Sequence, residues 1–328
     1  MIEVCNISKS FGKKQAVKNL SFTAEQGEVL GFLGPNGAGK STTLNIITGY
    51  LSADEGTARI DGIDILEHPT EAKRHIGFLP EIPPLYPEMT VAEYLRFVYS
   101  LKGCKLPREK HLKEICDVVR IADVYDRRIR NLSKGYKQRV GIAQALINSP
   151  KVLIFDEPTI GLDPRQIVDI RNLIRMLGKD HTVILSTHIL PEVQAVCDRI
   201  VVINGGKLVA NEKTEDLINA VEGSRRLEVR IVGPEADVLA ALQKVPGVKR
   251  ASLLGHRDTD SVSFMLESEP RVDIRKPLFF MCAKNNWPLV SVEGMELGFE
   301  DIFLKLINNE SDPATATGGK KAKRKVVR

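Results

Sequence analysis

The sequence lacks the features that mark secreted, disulfide-bonded or membrane-spanning proteins. It contains only five cysteines, and none of them forms a Cys-x-x-Cys pair, which argues against both a disulfide framework and a zinc site. No apolar run approaches the roughly 18 residues that a membrane-spanning helix needs. The opening MIEVCNISKSFGKK has no apolar segment before a cleavage site. We therefore expect a cytoplasmic protein with reduced cysteines.

The excess of positive charge lies at the C-terminal end of the chain. The formal net charge is +5, and residues 311–328, SDPATATGGKKAKRKVVR, hold six of the 47 basic residues but only one of the 42 acidic ones. The rest of the chain therefore carries equal numbers of both signs. Because no basic face is predicted on a folded domain, we expect no nucleic-acid partner. The tail 311–328 has the low-complexity composition of a disordered segment.

Two patterns divide the remaining chain. Residues 1–220 alternate β-branched runs with helical patterns, such as VLGFLG before TTLNIITGYL and VLIFDE before PRQIVDIRNLIRMLG. This alternation predicts parallel strands with crossover helices, framed by antiparallel strands. Residues 225–310 follow the order strand, helix, strand, strand, helix, strand, which is ferredoxin-like, and end on a predicted amphipathic helix, LGFEDIFLKLI. We predict that the run LFFMCA in this second domain is core, and we interpret the domain as a dimerisation or regulatory module.

A glycine-rich loop, GPNGAGKS at 34–41, matches the pattern G-x-x-x-x-G-K-[ST] between a strand and a helix. Its glycines allow backbone N–H groups to turn inward around an anion, and the helix N-terminus adds its positive dipole end. Lys40 is expected to reach the β- and γ-phosphates, and the Ser41 hydroxyl to bind Mg²⁺. The alternative is a plain glycine-rich turn, which the flanking strand and helix disfavour. The predicted nucleotide-binding residues here are Gly34, Pro35, Asn36, Gly37, Ala38, Gly39, Lys40, Ser41 and Thr42.

Two adjacent carboxylates, Asp156 and Glu157, end the buried run VLIFDE. Ligands of open α/β sheets bind at the carboxyl ends of strands, so both side chains should face the phosphate loop. One carboxylate can hold Mg²⁺ and the other can orient an attacking water. A solvated strand end is the alternative for an isolated acidic pair, but a phosphate loop on the same sheet makes it the weaker interpretation.

The segment NLSKGYKQR at 131–139 lies shortly before the acidic pair and precedes an amphipathic helix. Alone, Ser133 would be an ordinary helix N-cap. Together with the phosphate loop, the acidic pair and the later sequence LSTH, this segment resembles the ATP-binding subunits of ABC transporters. The resemblance covers residues 1 to about 215, with the motifs in the family's order. It implies a P-loop NTPase core with an antiparallel β subdomain and a helical insertion near 85–150.

The resemblance also implies a set of functional residues. Phe11 would stack on adenine, and the loop 34–41 would be Walker A. Asp156 would end Walker B as a Mg²⁺ ligand, and Glu157 would be the catalytic base. His188 would be the switch histidine that contacts the γ-phosphate and the water.

The remaining implied residues belong to a dimer interface. Residues 132–136, LSKGY, would be the signature segment, in which Ser133 and Gly135 contact the γ-phosphate bound to the other subunit. Residues 161–163 would form the D-loop at the dimer seam. The family therefore implies a homodimer that sandwiches ATP head to tail.

Two positions depart from the family pattern. Glu81, in the segment GFLPE, stands where the family has a glutamine between the subdomains. A glutamate there could bind Mg²⁺, but as an anion it adds repulsion toward ATP that an amide does not; the alternative is a loop residue that faces solvent. Lys134 and Tyr136 replace the Gly and Gln that are common in the signature.

The variant LPE and the ending FEDIFLKL resemble subunits that pair with ABC-2-type permeases, among them exporters. The resemblance thus predicts an ATPase on the cytoplasmic face of the plasma membrane that drives a permease on a separate chain, with weak contact of the basic tail with anionic lipid. One alternative is a non-transport ABC protein, although the chain has one phosphate loop and no sustained heptads. The other is a regulatory interaction subunit without catalysis, against which Lys40, Asp156, Glu157 and His188 argue.

Overall fold

The computed structural model describes residues 1–216, 226–256, 260–269 and 272–295. The chain divides into two compact units, Met1–Leu217 and Ile218–Arg328. The predicted terminal helix LGFEDIFLKLI and the tail 311–328 lie outside the described residues. Within the described ranges, no helix is both long and apolar enough to cross a membrane.

The first unit contains two sheets and a set of helices. Its strands are β1 (Ile2–Phe11), β2 (Lys14–Ala24), β3 (Val29–Leu33), β4 (Glu55–Ile60), β5 (Ile63–Asp64), β6 (Ile76–Leu79), β7 (Val152–Asp156), β8 (Thr182–Thr187), β9 (Arg199–Asn204) and β10 (Lys207–Lys213). Its helices are α1 (Lys40–Ile47), α2 (Pro69–Arg74), α3 (Val91–Leu101), α4 (Arg108–Val119), α5 (Lys134–Leu146), α6 (Pro164–Leu177) and α7 (Leu190–Val196).

The central sheet has the strand order β10-β9-β3-β8-β7-β6, in which only β10 pairs antiparallel to its neighbour. Strands β3, β7 and β8 are buried along their whole length, because helices and the second sheet cover both faces. These three strands are neighbours in the order β3-β8-β7. The phosphate loop follows β3, the acidic pair ends β7, and His188 follows β8. The topology therefore brings all three motifs to one edge.

The antiparallel sheet has the order β2-β1-β4-β5 and shares a core with the central sheet. Phe22 of β2 stacks on Phe32 of β3 with ring centroids 5.3 Å apart. The predicted helical insertion lies between β6 and β7 and contains α3, α4 and α5. Its helix α5 is fixed at the C-terminal end by Lys102, whose Nζ donates to the carbonyl oxygens of Gln144, Ala145 and Ile147, and burial lowers the pKa of Lys102 to about 8.

The second unit confirms the predicted ferredoxin-like order. It contains β11 (Arg226–Ile231), α8 (Glu235–Leu242), β12 (Val248–His256), β13 (Val262–Ser268), α9 (Arg275–Lys284) and β14 (Leu289–Met295). The strands form one antiparallel sheet in the order β12-β13-β11-β14. One face of this sheet packs on both helices around Val229, Phe264 and Leu278, which are fully buried. The unit therefore has a core of its own.

Candidate nucleotide-binding site

The phosphate loop is fixed by backbone conformation and by close packing on β2. Gly37 and Gly39 have φ values of 78° and 107°, which side chains rarely adopt. A Cβ on Gly39 would come within 2.6 Å of the Ala16 carbonyl oxygen. Glycine is therefore required at position 39, immediately before α1 begins at Lys40. The positive end of α1 points into the loop, as an anion site needs.

Lys40 is held by groups on both sides of the loop. Its Nζ donates to the Gly34 carbonyl oxygen at 2.8 Å and lies 3.4 Å from Oε1 of Glu157. The Lys40 side chain is only 6% exposed. Because a buried cation needs partners, the loop carbonyl and the Glu157 carboxylate stabilise it in the protein alone. A phosphate that enters the loop offers Lys40 a stronger set of acceptors.

Glu157 has an unusual backbone for a residue with a side chain. Its φ is +49°, in the left-handed region, and its N–H donates to the Ser186 carbonyl oxygen at 3.0 Å. This conformation turns the carboxylate toward His188, whose Nδ1 lies 3.0 Å from both Glu157 oxygens. Backbone strain at a buried polar residue is typical of functional sites, where the surrounding structure holds it in place.

Asp156 ends β7 as a buried carboxylate that is incompletely satisfied. Its side chain is 4% exposed, and Oδ1 has no hydrogen-bond partner among the described residues. A buried acceptor without a partner is costly unless a ligand or its bound water completes it. The oxygen donors Asp156 and Ser41 fit Mg²⁺, which usually binds one or two protein oxygens together with phosphates and waters. The described residues contain no cluster of three His, Cys, Asp or Glu that could hold a metal by itself.

One cavity of about 460 Å³ gathers most of the predicted residues. Phe11 lies at its rim, half exposed, and Glu81 lines it from the loop after β6. Gly34, Pro35, Ala38 and Asp156 do not line it. Its lining residues are Phe11, Lys14, Ala16, Asn36, Gly37, Gly39, Lys40, Ser41, Thr42, Glu81, Glu157, Ile160 and His188.

Three residues that line the cavity are not among the site residues predicted from the sequence. Lys14 and Ala16 belong to β2, and Ile160 follows the acidic pair. The pairing of Phe11 with Lys14 across the β1–β2 hairpin places Lys14 beside the predicted adenine contact. The hairpin turn at Gly12 is the sequence signal that could have indicated this neighbour.

The predicted signature residues lie apart from this cavity. Ser133 and Gly135 line a second cavity of about 320 Å³, together with Arg139, Gln166 and other residues of α5 and α6. Ser133 caps α5 by accepting a hydrogen bond from the Tyr136 N–H at 3.4 Å. The Tyr136 hydroxyl donates to Asp123 at 2.6 Å, and this hydrogen bond raises the pKa of Tyr136. Within one copy of the chain, the signature and the phosphate loop therefore do not share a site.

Comparison with known proteins assigns the family. The sequence model of the ABC transporter family matches residues 17–160. The ABC transporter ATP-binding protein YxlF of Bacillus subtilis is 31% identical over 309 residues, which cover 94% of this chain and 100% of that protein. The chain belongs to the ATP-binding subunits of ABC transporters. The linearmycin resistance ATP-binding protein LnrL of the same bacterium is 35% identical, over 76% of this subunit and 80% of LnrL.

Solved structures agree with this assignment. The ATP-binding cassette MJ0796, in a dimeric post-hydrolysis state bound to ADP and Pi, is 30% identical and gives a TM-score of 0.60. The match covers 65% of this subunit and 99% of that cassette. The predictions of an ABC ATPase fold and of an ATP-binding, ATP-hydrolysing transporter subunit are thus confirmed.

Proposed function

We propose that two copies of this subunit bind two ATP·Mg²⁺ head to tail and drive an ABC-2-type permease on a separate chain. The observation that carries the dimer is the separation of the two cavities: Lys40, Glu157 and His188 line one, and Ser133 and Gly135 line another. A head-to-tail pair completes each site with the signature of the other copy. The relative MJ0796, whose solved structure is dimeric with ADP and Pi, supports this arrangement.

In this proposal the residues of the nucleotide site have separate tasks. Lys40 exchanges its contact with Glu157 for the β- and γ-phosphates, which frees the Glu157 carboxylate. Glu157 then accepts a hydrogen bond from the water that attacks the γ-phosphate in line, and His188 orients both. Asp156 and Ser41 would hold Mg²⁺, which would supply positive charge to the phosphate oxygens. Phe11 stacks on adenine, and Thr42 lies alongside the phosphates.

The dimer is tested by mixing two inactive variants. Lys40→Ala disables the phosphate loop, and Ser133→Arg disables the signature, so either homodimer lacks a complete site. A mixed dimer contains one site with wild-type Lys40 and wild-type Ser133. We expect the equimolar mixture to recover about a quarter of the wild-type rate of phosphate release, because half of the dimers are mixed and each has one site. No recovery would show that both motifs serve the nucleotide of their own copy.

An exposed apolar surface on the helical insertion supports docking of a membrane partner. Ile82 and Leu101 are 81% and 73% exposed, and the rings of Tyr86 and Phe97 meet edge to face at 5.5 Å. Exposed apolar side chains that contact each other, as Tyr86 and Phe97 do, are typical of interaction sites. Ile82 directly follows Glu81, which lines the nucleotide cavity, so this surface begins next to that cavity in the sequence.

The permease would hold the subunit on the cytoplasmic face of the plasma membrane, and the basic tail 311–328 would add weak contact with anionic lipid.

Glu81→Gln distinguishes a role at the nucleotide from a role at the permease. If Glu81 belongs to the Mg²⁺ shell, the amide weakens this contact, and we expect the Mg²⁺ concentration for half-maximal ATP hydrolysis to shift severalfold. The measurement is a Mg²⁺ titration of the isolated subunit, with the exposed Glu88→Gln as the matched control. Unchanged Mg²⁺ dependence combined with altered permease-stimulated hydrolysis would place Glu81 at the permease instead. Unchanged kinetics in both assays would return Glu81 to a solvated loop residue.

A further inference from the structure

Helix α9 of the second unit exposes two aromatic side chains. Phe279 and Phe280 are 56% and 68% exposed, and their rings contact each other edge to face at 5.7 Å. Leu278 and Cys282, on the opposite side of the helix, are buried in the core of the unit. The prediction that the run LFFMCA is core is therefore wrong for the two phenylalanines. Two large aromatic side chains that contact each other on an exposed helix face form an apolar patch of the kind that marks an interaction site.

The same face of α9 also carries positive charge. Lys276 and Lys284 are exposed and lie one helical turn from Phe279 and Phe280, at spacings that share a face. No Asp or Glu occurs between Arg275 and Lys284. Arg275 is engaged by Asp273, through contacts of 2.9 Å and 2.7 Å, so its charge is locally balanced. The outer face of α9 thus combines an aromatic centre with a lysine toward each end.

We propose that this outer face of α9, formed by Lys276, Phe279, Phe280 and Lys284, binds an anionic membrane surface. A helix of ten residues is about 15 Å long, which is too short to span a bilayer but suited to lie in its interface. The phenylalanines would enter the boundary between headgroups and acyl chains. The lysine stems would extend along the apolar surface, and their ammonium groups would reach lipid phosphates.

Charge favours this occupant over a second copy of the chain. Two α9 faces related by a two-fold axis would bring lysines of like charge together, which disfavours association. An anionic lipid surface instead complements both lysines and accepts both aromatic rings. The contact goes beyond the proposed permease coupling, because it gives the second unit its own attachment to the membrane. It is also separate from the basic tail, which offers charge without aromatic residues.

The test is vesicle sedimentation of the full chain, with phosphatidylcholine vesicles and with vesicles that also contain phosphatidylglycerol. We expect Phe279→Ser/Phe280→Ser to weaken binding to the anionic vesicles by about a hundredfold, since each buried aromatic contributes roughly tenfold or more. Lys276→Gln and Lys284→Gln should each weaken it by roughly fivefold. The matched control is Leu253→Ser/Leu254→Ser on β12, which removes two apolar side chains that are 40% and 47% exposed. It should bind like the wild type.

A further variant separates α9 from the tail. With the six tail Lys and Arg changed to Gln, binding should weaken but should still depend on Phe279 and Phe280. Thermal unfolding and ATP hydrolysis of the phenylalanine variant should equal those of the wild type. Equal vesicle binding by the wild type and the phenylalanine variant would overturn the proposal. A change in the sedimentation mass of the phenylalanine variant without vesicles would also overturn it, because this result would identify a self-association face. Equal binding of the wild type to neutral and anionic vesicles would overturn it as well.

Discussion

Glu157→Gln should stop ATP turnover while leaving ATP binding intact. Glutamine keeps the size of the side chain and can still accept a hydrogen bond from Nδ1 of His188, which lies 3.0 Å from the Glu157 oxygens. It lacks the negative charge that, in the proposed mechanism, orients and deprotonates the attacking water. Loss of a general base typically lowers a rate by ~10²–10⁴. The measurement combines phosphate release in a single turnover with equilibrium binding of ATP.

A second readout makes the Glu157 result specific. If hydrolysis opens the dimer, the variant should accumulate as an ATP-bound dimer in gel filtration, while the wild type returns to monomer as ATP is consumed. The matched control is Glu88→Gln, which removes a carboxylate that is 71% exposed and pairs with Arg130 on the surface. Surface ion pairs of this kind contribute about 1 kcal/mol or less. Phosphate release near the wild-type rate in Glu157→Gln would show that another group serves as the base.

The sequence predicts the location of the site because its motifs also determine local geometry. The glycine-rich loop follows one buried strand, and the acidic pair ends another. Both motifs therefore lie at the carboxyl ends of strands, which meet at one edge of a parallel sheet. What the sequence does not contain is the order β3-β8-β7, which depends on packing between distant segments. The contact between Lys40 and Glu157 depends on that order. The left-handed backbone of Glu157 occurs together with a hydrogen bond to the Ser186 carbonyl oxygen on β8. Neither has a signal in the local sequence.

The second unit shows where periodicity is informative and where it is not. Its strand and helix order is predicted because short alternating strands and two helical patterns follow each other without long loops. The run LFFMCA is apolar throughout, so composition alone predicts that it is buried. In a helix, however, consecutive residues face different directions, and a core on one side can bury only Leu278 and Cys282. The exposure of Phe279 and Phe280 is therefore a property of the tertiary packing.

Lys40→Ala should weaken ATP binding itself. The ammonium group would form charge-assisted hydrogen bonds to phosphate oxygens, each contributing roughly 1.5–3 kcal/mol. Part of this gain is offset in the wild type, because Lys40 must first leave Oε1 of Glu157, 3.4 Å away, and the Gly34 carbonyl oxygen. We therefore expect the Kd for ATP to rise by about a hundredfold.

The ATP-free protein provides an independent measure of the same substitution. The Glu157 side chain of the wild type is only 8% exposed, and Lys40→Ala removes the cation that pairs with it while leaving the contact with Nδ1 of His188. The ATP-free variant should therefore unfold at a lower temperature than the wild type. Lys40→Arg retains the charge and should lose less stability. Lys151→Ala, which removes an exposed lysine paired with Asp61, is the matched control and should bind ATP normally. An unchanged Kd for ATP in Lys40→Ala would contradict the assignment of residues 34–41 as the phosphate-binding loop, whatever the effect on unfolding, because no other lysine is as deeply buried beside that loop among the described residues.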